Sequence, residues 1–241
     1  MSSTPTDIRN QVQDFYDNLA RTADELIHVR LPSKLLELNR ILDEETKSGG
    51  LFDIAGIELV NGCNEEEPNK KRKLNSLVAN EVPSENPSAH IYLQHADSNP
   101  RTTRLLEMLK KEGMELVETL SKIRLWIHLQ MPRIEDGDNL GVSIQEEVVS
   151  ELARAEDSAV NILDAATKHY ATRAKLSCKL IKYPNVEDYQ RSISYLDQKD
   201  FVNWRLSFEE IRNSYAVLYD SILKNLEKIK KPKGNNSTHL Y

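Results

Sequence analysis

Proline placement constrains this chain more than any other feature. Pro100, Pro132, Pro184 and Pro232 bound three stretches that contain no other proline. Proline removes a backbone donor and its ring clashes with the preceding turn, so helices tend to end beside it. Within each stretch apolar residues recur at intervals of three and four, the period of one helix face. Leu105, Leu109, Leu116, Leu120, Ile123 and Ile127 mark the first stretch, and Val149, Leu152, Ala159, Ile162 and Ala166 the second. Ile193, Phe201, Trp204, Phe208, Ile211, Tyr215 and Leu218 mark the third.

Start and stop signals agree with these limits. Asn99 precedes Pro100 as a cap precedes a first helical proline. Ser143-Ile-Gln-Glu146 reads as a capping box for the next helix, which the pattern carries to about Lys182. Asn185 is the expected cap of the last helix, with Asp188 at its third position. Lys224, Lys228 and Lys230 suit the negative end of that helix dipole. Upstream, Thr4-Pro5-Thr6-Asp7 is a further helix start, followed by the stripe Ile8, Val12, Phe15, Leu19, Ala23 and Leu26. Pro32 interrupts that stripe, and Leu35, Leu38 and Leu42 resume it, so one helix over 5–45 is expected, kinked or briefly broken near Pro32. Four helices, each amphipathic, bury their stripes most economically together. The expected fold is all-α, an elongated antiparallel four-helix bundle.

The division of the chain follows: 1–45 as the first helix, 46–99 as a linker insert, 100–231 as the remaining helices, and 232–241 as a polar tail. The insert mixes Pro68, Pro83 and Pro87 with the charge blocks Glu65-Glu66-Glu67 and Lys70-Lys71-Arg72-Lys73, and no helical period holds there. Most of it reads as a mobile connection, with short apolar pieces such as Leu51-Phe52 able to dock on a neighbour. The short turn at Pro184 and the loop at 132–142 reverse the chain, so consecutive helices run antiparallel. The 132–142 loop and the C-terminal tail therefore fall at one end of the bundle, and the insert falls at the other beside Pro184. The loop is also longer and richer in Gly, Asp and Asn than a plain reversal requires.

Composition and motif searches narrow the function classes. A net charge of −6 argues against a nucleic-acid binder, despite basic clusters at 70–73 and 224–233. No apolar run approaches the ~20 residues of a membrane span, and the N-terminus lacks a hydrophobic signal core. Cys63 and Cys178 are far apart in different contexts, as in a reducing compartment, so an intracellular protein is expected. Gly141-Val-Ser143 is not a nucleophile elbow, and no phosphate-binding glycine loop is present. A di-metal bundle needs two Glu-x-x-His pairs, and Glu25-Leu-Ile-His28 stands by itself. The histidines at 90, 95, 128, 169 and 239 have no ligand spacing. Glu135, Asp136 and Asp138 lack the spacing of a calcium loop and read as capping or solvated acids. Trp126 and Trp204 at helical spacing read as core or subunit contacts. Neither metal nor cofactor is expected. The run Lys70, Lys71, Arg72, Lys73 reads as a nuclear-localisation signal in an exposed linker.

Pro132-Arg-Ile-Glu-Asp-Gly137 and Gly141-Val-Ser-Ile-Gln-Glu-Glu147 resemble the activation loop of the eleven-S proteasome activators, most closely the gamma type, a nuclear regulator. Pro32-Ser-Lys-Leu-Leu-Glu-Leu38, Lys70-Lys-Arg-Lys-Leu74, Thr172-Arg-Ala-Lys-Leu176, Lys182-Tyr-Pro-Asn-Val-Glu-Asp-Tyr189, Ile222-Leu-Lys-Asn-Leu-Glu-Lys-Ile-Lys230 and the terminal Leu240-Tyr241 agree in order. The resemblance covers nearly the full length, with 46–99 matching poorly outside the basic run.

It implies a homoheptameric ring that caps the proteasome core particle without ATP, is located in the nucleus and possibly also the cytoplasm, and has no catalytic residues of its own. Tail residues Thr238, His239, Leu240 and Tyr241 would enter pockets of the core's α-ring. Activation-loop residues Pro132, Arg133, Ile134, Glu135, Asp136, Gly137, Asp138, Asn139, Leu140 and Gly141 would hold the gate open, stimulating hydrolysis of peptide or unfolded substrates. Lys175 matches a channel-facing lysine of the family. Neither nucleic acid nor membrane is an implied partner. Two positions depart from the family loop, which usually reads Glu-Asp-Gly-Asn-Asn-Phe-Gly: Asp138 replaces an amide and Leu140 replaces the ring. Asp138 loses a donor and adds charge, which leaves open a helical scaffold that binds partners without opening the gate.

Overall fold

The computed structural model describes residues 5–53, 98–133, 137 and 139–233. These form α1 (Pro5–Glu25), a π-helical turn (Leu26–Arg30), α2 (Leu31–Glu45), α3 (Pro100–Gln130), α4 (Leu140–Lys182) and α5 (Glu187–Lys230). No strand occurs among the described residues. The first helix continues through Pro32, and the irregularity expected there is a π-helical turn just before it. Pro32 has no N–H to offer the preceding turn, and the chain widens there: the Leu31 N–H donates to the Leu26 carbonyl, five residues back. A wide turn absorbs the proline ring without ending the helix.

α3 starts as expected. The Asn99 side-chain oxygen accepts from the Arg101 and Thr102 N–H groups at 2.9 and 3.4 Å, with Pro100 at the first helical position. Two other starts differ from expectation. α4 begins at Leu140, so the Ser143–Glu146 capping box lies inside the helix: the Ser143 N–H already donates to the Asn139 carbonyl at 2.9 Å. α5 begins at Glu187 with Val186 at the cap and no side-chain cap bond, so Asn185 is one residue too early. The Pro184 turn closes through the backbone instead, the Val186 N–H donating to the Tyr183 carbonyl at 3.1 Å. Glu187 and Asp188 still lie in the first turn, where the helix dipole favours acids.

α3, α4 and α5 pack mutually, and the α1–α2 rod lies against α3 and α5. The core runs through Leu38, Leu105, Leu116, Leu120, Ile123, Ile127, Leu152, Phe208, Tyr215 and Ile222, all buried. Trp126 and Trp204 belong to it, as core contacts. A buried ionic group crosses this core between α2 and α3: Lys34 Nζ lies 2.5 Å from Glu112 and 3.1 Å from Glu115, and Arg30 also pairs with Glu115. Burial acts to lower the Lys34 ammonium, but the two carboxylates outweigh it and hold its pKa above the ordinary value.

The start of the insert is part of the fold. Phe52 is fully buried with its ring 5.1 Å from that of Phe208, and Leu51 is buried beside it. Arg101 at the foot of α3 holds this turn, donating to the carbonyls of Gly50, Leu51 and Asp53 at 2.5, 3.2 and 2.8 Å. The docking of Leu51-Phe52 is as expected. The basic run at 70–73 lies outside the described residues.

Candidate functional site at the loop end

The loop between α3 and α4 and the root of the C-terminal tail meet at one end of the bundle, as the helix directions require. Met131 leaves α3 in extended conformation (φ −65°, ψ 127°), the geometry a residue before proline favours. Gly137 has φ +128°, a backbone region that disfavours side chains, so this loop position calls for glycine. Asn139 precedes α4 without a side-chain cap bond, and Leu140 on the first turn is 63% exposed. Arg133 is exposed and Pro132 half-buried. Ile134, Glu135, Asp136 and Asp138 lie outside the described residues, as do Thr238, His239, Leu240 and Tyr241.

Direct contacts tie α4 to the end of α5. Gly141 is buried against Pro232: a Cβ at Gly141 would lie 2.0 Å from the Pro232 carbonyl oxygen, so any side chain would force the two apart. One turn later Gln145, fully buried, donates from Nε2 to the Ile229 carbonyl at 2.8 Å. Last-turn helix carbonyls have no partner within their own helix, and α4 supplies one here. Ser221 adds a bond to Glu151 at 2.8 Å two turns further in. The Lys231 N–H donates to Glu227, closing α5 just before Pro232.

Gln145 was not singled out as a site residue by sequence reasoning. Its signal was present: Gly141, Gln145, Val148 and Leu152 share one buried stripe at spacings of three and four, and Gln145 is the one amide on it. The capping-box reading drew attention to Ser143 and Glu146 instead.

Other candidates stand apart from this end. Lys175 is exposed near the far end of α4. His28 lies 3.5 Å from Asp24, with both side chains largely exposed. Among the described residues no group of three or more His, Cys, Asp or Glu gathers as a metal cluster, and no helix is long and apolar enough to cross a membrane.

The sequence matches two family profiles, the N-terminal part of proteasome activator PA28 over residues 6–48 and its C-terminal part over residues 95–239. The chain belongs to the PA28 proteasome activator family. By family it is a regulator of a protease rather than a protease. It is 36% identical over 250 residues to proteasome activator complex subunit 3 of Gallus gallus, covering 98% of this chain and 96% of that one. It is 34% identical to the Homo sapiens protein of the same name over 252 residues, with the same coverage. A crystal structure of the 11S subunit of the Plasmodium falciparum proteasome, PA28, superposes with a TM-score of 0.78 at 33% identity, covering 96% of this chain and 97% of that chain. An 11S activator solved in complex with a proteasome superposes at 0.66 and 13% identity over 95% of this chain and 99% of that one, a likeness of fold. The two PA28 profiles leave out residues 49–94, which include the 54–97 segment almost entirely.

Proposed function

We propose that this chain is an ATP-independent, non-catalytic activator of the proteasome core particle. It assembles as a homoheptameric ring, docks through residues 238–241 on the core's α-ring, and holds the gate open with the 131–147 loop. The observation that carries this reading is the contact of Gly141 with Pro232, which sets the root of the tail beside the last residues of the loop. Family membership at full length supports it. So does a solved structure of similar fold, an 11S activator in complex with a proteasome. Seven tails and seven loops on one ring act as a multivalent patch, because each docked tail makes the next contact intramolecular. Lys175, exposed on α4, is proposed to face the channel, and Lys70–Lys73 to direct the protein to the nucleus.

Purified protein added to a cognate core particle is expected to accelerate fluorogenic-peptide cleavage without nucleotide, and deletion of 238–241 to abolish binding. Mass photometry reads the ring size, and replacing residues 70–73 with alanine reads localisation. No stimulation by intact protein sinks the reading. Asp138 favours a second one, a scaffold that binds without opening the gate, since a carboxylate stands where the family loop usually has an amide. Under that reading the core particle is bound but not stimulated, and Asp138→Asn restores stimulation.

A further inference from the structure

The geometry points to Gln145 as a positioning residue that couples tail docking to the activation loop. The inference rests on the activator reading above.

Activation by loop contact requires that force or position set at the docked tail reach the loop. The tail follows α5 and Pro232 in the chain, and the loop ends at Asn139 before α4. Two contacts bridge them. At Gly141 the helix backbone lies directly on the Pro232 carbonyl with no space for a side chain. At Gln145 a single amide reaches from α4 to the last turn of α5 and holds the Ile229 carbonyl. The two residues are four apart on one helix, so they lie one above the other on the face that meets α5. Together they clamp the first turns of α4 to the point where the tail departs.

The Gln145 amide is an unusual way to fill this position. Its Oε1 is buried with no hydrogen-bond partner, although the side chain is 0% exposed. An apolar side chain of the same length would leave no such atom, and neighbouring stripe positions, Val148 and Leu152, are apolar. Unsatisfied buried polar atoms call for a reason. The directional bond to Ile229 provides one: it fixes the rotation and height of α4 against α5, which apolar packing does not do with comparable sharpness. Tail docking would then set where Asn139, Leu140 and the loop before them stand.

Coupling of this kind separates affinity from activation. Gln145→Met keeps the length of the side chain and removes the bond; Gln145→Leu serves as a second, shorter apolar variant. In titrations against core particle, the concentration for half-maximal stimulation should stay within about twofold of the unaltered protein, because the tails are intact. Maximal stimulation should fall about fivefold or more. Gly141→Ala, which pushes the same two segments apart, should lower the maximum in the same way. Equal maxima for Gln145→Leu and the unaltered protein overturn the inference, as does a change confined to the half-maximal concentration. Failure of both Gln145 variants to assemble also overturns it, since the amide would then be structural only. A silent unaltered protein is a distinct result that removes the activator reading itself.

Discussion

The bundle has two regions built on different principles. Over the length where α1–α2, α3, α4 and α5 run together, one apolar core extends from Leu19 to Ile229, crossed by the buried Lys34–Glu112 pair and bordered by Glu156 paired with Arg124. α4 and α5 are longer than α3, at 43 and 44 residues against 31, and they continue past the foot of α3 as a two-helix hairpin. There the buried positions turn polar. His169 Nδ1 meets Asp200 at 2.7 Å, and Arg173 Nε meets Asp197 at 3.0 Å. Leu180 and Ile193 are buried near the tip but stand apart from the main core. Two helices share a seam and enclose little interior, so few apolar side chains besides Leu180 and Ile193 are covered there. Long polar chains laid across the seam cover it and fix which residue faces which. The four-helix section gains its stability mainly from burial, and the hairpin gains its register from directional polar pairs.

The largest break in this contrast should come from the core. Phe208→Ala empties the site against Phe52 and is expected to cost about 3–5 kcal/mol, read as a fall in the denaturant midpoint.

Next is the lysine-centred ionic group inside the apolar section. Lys34→Met strips buried Glu112 of its ammonium partner, while half-buried Glu115 keeps Arg30, and should cost about 3 kcal/mol in the same measurement. The same cluster predicts alkaline lability. Lys34 is raised above its ordinary 10.5 by Glu112 and Glu115. Tyr215 is raised above 10.0, first by burial and then by the Glu115 and Glu112 carboxylates. The folded state therefore holds both protons more tightly than the unfolded chain. Their contribution is complete below pH 10.0, the ordinary Tyr215 value, and is lost as pH rises above it. Midpoints measured across that range should be flat and then fall, and less steeply in Tyr215→Phe.

The smallest effect sharpens the hairpin side. Arg173→Ala strands Asp197 at the seam and should cost about 1–3 kcal/mol. Replacing both partners, Arg173→Met with Asp197→Leu, should return most of it, to within about 1 kcal/mol of the starting protein. A double variant as unstable as the single one would mean that the seam needs its charges for more than register.

Much of this was legible beforehand. Proline spacing and the stripes gave the helices, their order and their directions, and Asn99-Pro100 gave a helix start to the residue. Direction alone placed the loop beside the tail. The misjudged starts share one cause. A capping box at 143–146 and an Asn at 185 are local preferences worth about 1 kcal/mol, and packing against Pro232 and closure of the Tyr183–Val186 turn outweighed them. One helix over 5–45, kinked or briefly broken near Pro32, is the sequence expectation, and the irregularity takes the form of a wide turn at 26–30 with Ile27 and Leu31 buried in the core.

Fold class, helix order and the shared end of loop and tail follow from sequence, because amphipathic period and chain reversal are local properties. Tertiary structure decided the rest. It turned Gln145 from a cap neighbour into a bond on Ile229, seated Gly141 under Pro232, and drew Phe52 out of an irregular insert onto Phe208. Each of these pairs residues more than 80 positions apart. Such contacts depend on the height and rotation of one helix against another, which no stripe encodes and which packing fixes once all helices are in place.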